Sequence, residues 1–431
     1  MVALTDVRGV ALPRSSDSFP RVQTAPAKAA RVPFGGPDYA LLLAIAGLLA
    51  FGLIMVYSAS VVTAYTAYRN QFHFFYKQGL SAVIGLAALL VLMRMDYHAL
   101  RSLSVPALAV SIGMLAAVLI PGIGSEVYGA QRWIPLGSFQ LQPSEVAKVA
   151  IALYVAHWLT TKRELVSDFA YGLVPFSVLM AVIVALLMRQ PDMGTTIVVV
   201  FTAVSIFFAA GANLYHLALL SGLGALGGAA LIFISPYRLV RVFAFLDPWA
   251  KPQETGYHVV QSLLAFGAGG VTGTGLGVGR QKFMYLPFPH TDSIFAVVGE
   301  ELGLIGTIAI VVAFVFFAYR GLRIAWYAPD QFGRLLAVGV TCGIAFQAMM
   351  NMAVLTSSVP FTGITLPFIS YGGSSLISTL AACGILLNVS RQTVIPTHGA
   401  PAAAGEGGNL RRGHGRPHLP RPGRRGRAER A

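Results

Sequence analysis

Residues 39–59 read YALLLAIAGLLAFGLIMVYSA, a stretch without one charged side chain. Wound as an α-helix it is about 31 Å long, enough to cross the roughly 30 Å hydrocarbon core of a bilayer. It would be apolar on every side, and only a membrane or a large protein core covers such a helix. The residues before it hold Arg8, Arg14, Arg21, Lys28 and Arg31 but no convincing cleavage site, so the stretch reads as a retained anchor, not a signal peptide.

Nine further apolar windows follow at 78–93, 103–121, 143–160, 170–188, 194–211, 215–234, 293–319, 335–356 and 372–390, the second extending back towards Phe74. Of the 431 residues 55% are hydrophobic and only 11% charged, with mean hydropathy +0.68. A soluble domain carries roughly 25% charged residues, and the windows leave no room for one between them. The expected fold is all-α and integral to the membrane: a polytopic bundle of about ten transmembrane helices, with a long extracytoplasmic loop and a re-entrant segment. Residues 1–38 form a basic N-tail, 39–392 the membrane body with its large outer loop 235–292, and 393–431 a disordered basic C-tail.

Ten spans place both termini on one side. That side holds both tails with Arg94, Arg101, Lys162, Arg163, Arg320, Arg323, Arg334 and Arg391, or 21 of the 31 Lys and Arg. The positive-inside rule makes it cytoplasmic. The C-tail run RRGHGRPHLPRPGRRGR cannot build a core. Beside a membrane it is expected to meet anionic lipid headgroups and not nucleic acid. Cys342 and Cys383 sit inside apolar windows and read as packing residues.

Three outward segments are more than connectors. Residues 122–142, GIGSEVYGAQRWIPLGSFQLQ, join the third and fourth spans. Residues 235–292 exceed the usual connection length many times over, which favours function. Within them YRLVRVFAFL and YHVVQSLLAF suit the membrane interface. GAGGVTGTGLGVGRQ contains no G-x-G-x-x-G register, which excludes a dinucleotide fingerprint and leaves a flexible loop able to approach a ligand. Residues 357–372, SSVPFTGITLPFISYG, are too apolar for a free loop and too rich in Pro and Gly for a straight helix, so they read as re-entrant.

Charged groups in or beside membrane spans are costly and therefore functional candidates. Eight carboxylates fall on the outer half: Glu126, Glu145, Asp192, Asp247, Glu254, Asp292, Glu300 and Glu301. Glu145 and Lys148, three apart, share a helix face. They form either a local ion pair or an anion-binding lysine held by its carboxylate. Asp192 in RQPDMGTT and Asp292 in LPFPHTDSIFAVVGEELG are each either a helix N-cap or a functional acid. Glu300 lies about 12 Å further along the helix than Asp292, so the two are not an obvious catalytic pair.

The strings GAQRWIPLGSFQLQPSEVAK, QPDMGTT, FLDPWAKPQETGYHVVQS, LPFPHTDSIFAVVGEELGLIG and TGITLPFISYGGSSLI resemble those of the SEDS family of FtsW and RodA, in order across residues 39–392. VGRQKFMYLP and GEELGLIG are nearer its division branch, that of FtsW. The resemblance implies a peptidoglycan glycosyltransferase of the bacterial cytoplasmic membrane. It would polymerise lipid II at the outer face and work at the division septum with a class B penicillin-binding transpeptidase and other divisome membrane proteins. Asp292, the acid of H-T-D, would be the critical residue, with Gln261, His290 and Thr291 among the substrate-binding positions. This chain departs from the family in having Ser293 after that Asp, where Phe is usual, and Phe288 where an acidic residue is usual.

The implied chemistry suits the residue types. The 4-hydroxyl of the acceptor sugar attacks the anomeric carbon of an undecaprenyl-pyrophosphate-linked glycan, turning an α link into β-1,4. One inverting displacement needs one base, and Asp292 can take the proton. Pyrophosphate leaves readily once its charge is neutralised, which assigns cations to it: Arg132 and Lys148 first, then Arg280 and Lys282. Trp133 either stacks on a sugar or anchors at the interface. No cofactor is required; a divalent cation, Mg or Mn, is compatible, but no ligand constellation is readable. The alternatives are a lipid II flippase and the RodA-type elongation polymerase. A transport path needs polar residues through the full membrane depth, whereas these cluster in one half. A secondary transporter should show inverted repeats, and no internal match is present.

Overall fold

The computed structural model describes residues 35–393 except Tyr128, Gly129 and Ser138; the two basic tails lie outside this range, save for Gly35–Asp38 and Thr393. Each apolar window becomes one helix. They are α1 (Tyr39–Tyr68), α2 (His73–Arg94), α3 (Tyr97–Ala117), α4 (Pro143–Thr161), α5 (Val174–Arg189), α6 (Met193–Ala209) and α7 (Leu214–Ile234). Two short helices of the long loop follow, α8 (Pro236–Leu246) and α9 (Tyr257–Gly269), then α10 (Ile294–Trp326), α11 (Gln331–Leu355) and α12 (Gly373–Gln392). Eight of these helical stretches are long and apolar enough to cross a membrane. The remaining two windows give α6, apolar but short, and α4, whose first turns carry Glu145 and Lys148.

Glycine sets the closest approaches in the bundle. A Cβ on Gly384 of α12 would stand 2.6 Å from the Leu89 carbonyl of α2, so those two backbones pack in near contact. A Cβ on Gly52 of α1 would stand 2.2 Å from the Phe368 carbonyl, which seats the 356–372 segment on α1. That segment is irregular and internal, with Leu366, Phe368, Ile369 and Ser370 buried. Buried side chains satisfy its backbone: Gln78 donates to the Ser370 carbonyl at 3.1 Å and accepts from Gly372 N–H, and Gln347 donates to the Thr365 carbonyl at 2.9 Å. Irregular backbone at membrane depth survives only with such partners.

Two features depart from the sequence reading. The helical bundle carries a small antiparallel sheet on residues 122–142, in the order β1 (Ser125–Val127), β2 (Ala130–Leu136), β3 (Phe139–Leu141). Its register pairs Glu126 with Gln131 and Ile134 with Leu141. The glycine-rich run, in turn, is a docked loop and not a flexible one. α10 breaks at Gly303, whose φ is 64°, and the loop fills the break. Thr274 and Gly275 donate to the carbonyls of Glu300 and Glu301, while Leu304 and Ile305 donate back to Gly270 and Val271. The Glu300 carboxylate accepts from the backbone N–H of Arg280 and Gln281, at 2.6 and 3.1 Å.

α9, expected at the interface, packs instead on α10. A Cβ on Gly269 would lie 1.9 Å from the Gly299 carbonyl, and Phe266 meets Phe295 edge-on. α8 does keep an apolar exposed side, with Val240, Phe243 and Leu246 open. α7 stands apart from every other span in having no buried residue at all.

Candidate active site

The H-T-D turn is built from its own backbone. Phe288 sits in the left-handed region, φ 50°, and its carbonyl accepts from both Thr291 and Ser293 N–H. Ser293 Oγ donates to the Pro287 carbonyl at 2.7 Å. The re-entrant segment then takes the outward groups: Tyr371 N–H donates to the His290 carbonyl and Ser370 Oγ to that of Thr291. Asn351 of α11, buried, donates to the Asp292 carbonyl at 2.9 Å and to that of Ile364 at 2.6 Å. Every carbonyl from 290 to 292 is therefore held. His290 is buried between Phe74 and Tyr371, and this burial lowers its pKa to about 4, leaving it neutral.

Asp292 does not cap α10; that helix starts at Ile294, and Ser293 holds the N-cap position without a side-chain cap bond. Its carboxylate has no hydrogen-bond partner among the described residues and keeps partial exposure. Enclosure by the protein raises its pKa to about 6; Asp192 adds to the rise, while Arg132 and Arg241 oppose it. Arg132 reaches the site from β2, its Nε donating to the Gln190 carbonyl at 2.9 Å and its other nitrogen to that of Pro191. Arg241 reaches it from α8, donating to the Phe361 carbonyl at 3.2 Å with its guanidinium over the Phe361 ring. Asp192 is buried and caps α6, accepting from Thr195 N–H at 3.2 Å, and also accepts from Ser144 Oγ at 3.3 Å. A carboxylate near two guanidiniums, unbonded and shifted towards neutrality, is an acid–base group in waiting.

A second polar cluster joins α4, α11 and α12. Lys148 Nζ stands 2.8 Å from Glu145 Oε2 and donates to Gln347 Oε1 at 2.6 Å, and Ser378 Oγ donates to Glu145 at 3.0 Å. Lys148, Gln347 and Ser378 line a small, partly open pocket among α4, α6, α11 and α12. Gln347 joins this cluster to the re-entrant segment at Thr365. The ion pair is thus present, and the lysine also borders this small pocket.

Of the other expected residues, Thr291 and half-buried Trp133 and Gln261 have no side-chain bond that points to a ligand. Arg280 is exposed on the docked loop. Lys282 is corrected: it is buried, its ammonium 2.7 Å from Glu301 Oε1 and 3.2 Å from Ser58 Oγ, so its charge is spent inside the fold. Among the described residues no group of three His, Cys, Asp or Glu side chains is placed to hold a metal. The sequence reading missed Arg241, His258, Asn351 and Phe361. Gln347 and Asn351, polar and four apart inside an apolar window, were the signal available.

The fold and this site define a polytopic membrane protein with a half-enclosed carboxylate set between arginines beside its bundle. The chain belongs to the FtsW/RodA/SpoVE family of cell cycle proteins, whose family model matches residues 39–395. It is 46% identical over 356 residues to the probable peptidoglycan glycosyltransferase FtsW of Geobacter metallireducens, covering 82% of this chain and 94% of that one. It is 44% identical to stage V sporulation protein E of Bacillus subtilis, over 82% and 97% of the two chains. Among solved structures, a chain of "Structural coordination of polymerization and crosslinking by a peptidoglycan synthase complex" superposes with TM-score 0.69 at 30% identity, covering 83% of this chain and 98% of that one. The rod shape determining protein RodA of Thermus thermophilus gives 0.62 at 29%, covering 83% and 97%.

Proposed function

We propose that this chain is a peptidoglycan glycosyltransferase that polymerises lipid II, with Asp292 as its general base. The observation that carries the reading is the state of Asp292: raised to about 6 by enclosure, unbonded, and near Arg132 and Arg241. Near neutral pH it is ionised and able to take the proton of the acceptor 4-hydroxyl as that oxygen attacks the anomeric carbon. The bond to the pyrophosphate oxygen breaks in the same displacement, and the charge left behind needs cations within reach. Arg132 and Arg241 supply them, with Lys148, oriented by Glu145, as a third. Glycosidases add a second carboxylic acid to protonate a poor leaving group; pyrophosphate does not need one, and Asp192 is occupied as a cap. No cofactor enters this scheme.

The positive-inside rule makes the side of the basic tails cytoplasmic; Asp292 precedes the start of α10 while Asp38 pairs with Arg320 near its far end, which supports a site on the outer face. The likeness to FtsW-named relatives supports a septal role, and the likeness to a chain of a synthase complex supports pairing with a class B penicillin-binding transpeptidase. Purified protein supplied with lipid II tests the reading: the unsubstituted chain should give β-1,4 glycan and Asp292→Asn none. Lipid II crossing vesicle membranes without any polymer would mark a flippase instead.

A further inference from the structure

We propose that His258, acting through Ser293, is a positioning residue that fixes the Asp292 turn to helix α9. The proposal rests on the glycosyltransferase reading of Asp292. Ser293 is fully buried and follows Asp292 directly. Its hydroxyl has one hydrogen, and the Pro287 carbonyl 2.7 Å away can only accept it. The Ser293 oxygen is then left to accept from His258 Nε2 at 2.9 Å, which fixes the imidazole tautomer with the hydrogen on Nε2.

The other side of this imidazole packs on Phe361, ring centroids 4.1 Å apart. Phe361 in turn carries Arg241 over its ring and on its carbonyl. One side chain therefore ties together α9, the re-entrant segment and Ser293, the residue next to Asp292 at the start of α10. α9 is a firm base for the purpose. Its far end is locked to α10 by the contact of Gly269 with Gly299, and Ser262 is buried and bonded to the His258 carbonyl.

Burial, and then the charge of Arg241, hold the His258 pKa down to about 4, so the imidazole is a neutral donor at neutral pH and adds no charge beside the base. The opposite side of the turn is held through main-chain groups by Asn351, Ser370 and Tyr371. His258 is the anchor on the α9 side, and Ser293 is what makes it possible. A phenylalanine at that position offers no acceptor.

The test compares His258→Ala, His258→Gln and Ser293→Ala with the unsubstituted full-length protein in nanodiscs. Two readouts are taken: hydrogen exchange over residues 286–296 without substrate, and polymerisation of lipid II as a function of pH. Freed from its anchor, the turn in His258→Ala and Ser293→Ala should exchange about tenfold faster or more. Turnover should fall about tenfold to a hundredfold with KM changed less than about twofold, as expected for a displaced base. Water entering the vacated space should also move the acid limb below its place near pH 6, a shift that a loss of folded protein does not cause. Glutamine can donate from its amide, and His258→Gln should restore most of the protection and turnover. Unchanged exchange in folded His258→Ala overturns the proposal whatever the activity, and so does a glutamine variant as impaired as the alanine one. Faster exchange in His258→Ala with no polymer from the unsubstituted protein leaves the anchor standing and overturns the polymerase reading alone.

Discussion

Asn351 and the re-entrant segment hold the Asp292 turn by its carbonyls, and its carboxylate takes no part in that bonding. Removing the charge should therefore spare the fold while ending catalysis. The folded pKa, about 6, lies above the unfolded value near 3.9, so ionisation opposes folding. The opposition is absent below about pH 4, grows between the two values and is complete above about pH 6. Asp292→Asn is expected to melt at higher temperature than the parent at pH 7.5, by up to about 3 kcal/mol of stability, and at the same temperature near pH 4. Polymerisation by the parent should decline below pH 6 as its base protonates, tenfold per unit once well below it. The Glu145–Lys148 pair calls for a different measurement. If Lys148 neutralises pyrophosphate, Lys148→Met should lose activity far beyond its loss of stability, and Glu145→Gln should lose less. A purely structural pair gives two poorly folded single variants, each about 3–5 kcal/mol down, and a recovered double. Rescue of activity in the double variant would end the phosphate role. At this scale the sequence alone left Asp292 open between cap and catalyst, and only the H-T-D likeness chose. Lys282 was assigned to pyrophosphate as one more outer cation, and its buried pairing was not legible because its partners Ser58 and Glu301 are 224 and 19 positions away.

Between residue and bundle, the docked glycine loop is the element most open to test. Gly273 has φ 82°, and a Cβ there would stand 2.2 Å from the Glu301 carbonyl. Gly273→Ala is expected to lower the melting temperature markedly, whereas Gly277→Ala, with positive φ but open space around it, should cost only about 1 kcal/mol. Comparing the two melting curves separates docking from backbone strain. The long helices were legible because some twenty apolar residues in a row admit little else in a membrane protein. The sheet was not, since two of its strands have three residues each, too few for alternation to register. The glycine loop misled for a physical reason: glycine permits mobility and permits the closest packing, and sequence does not say which. What decides here is the pair Glu300 and Glu301, read earlier only as charges, which receive the loop's backbone N–H groups through carboxylate and carbonyl oxygens.

For the whole molecule, the division of labour runs along the membrane normal. The site gathers around the loops 122–142, 189–192 and 235–292 with the re-entrant segment, while the described ends of the chain meet elsewhere, Gly35 bonding to the Arg391 carbonyl and Asp38 pairing with Arg320 near the far end of α10. Deleting residues 395–431 should therefore leave polymerisation in detergent within about twofold of the parent, measured at equal concentrations of folded protein, with any loss confined to binding anionic vesicles. A stable truncated protein without activity would contradict this. Helix α7 is the exception to the economy of the bundle: none of its residues is buried, and Gly222, Gly224, Gly227 and Gly228 have no neighbour within 4 Å of a Cβ. Selection on residues 214–234 then acts chiefly through their oiliness and length. Leucine, valine, alanine and phenylalanine can trade places there over generations at little cost, while α12, wrapped by its neighbours, must keep nearly every side chain it has. The two helices belong to one chain and one lineage, yet they should keep time on clocks running at very different rates.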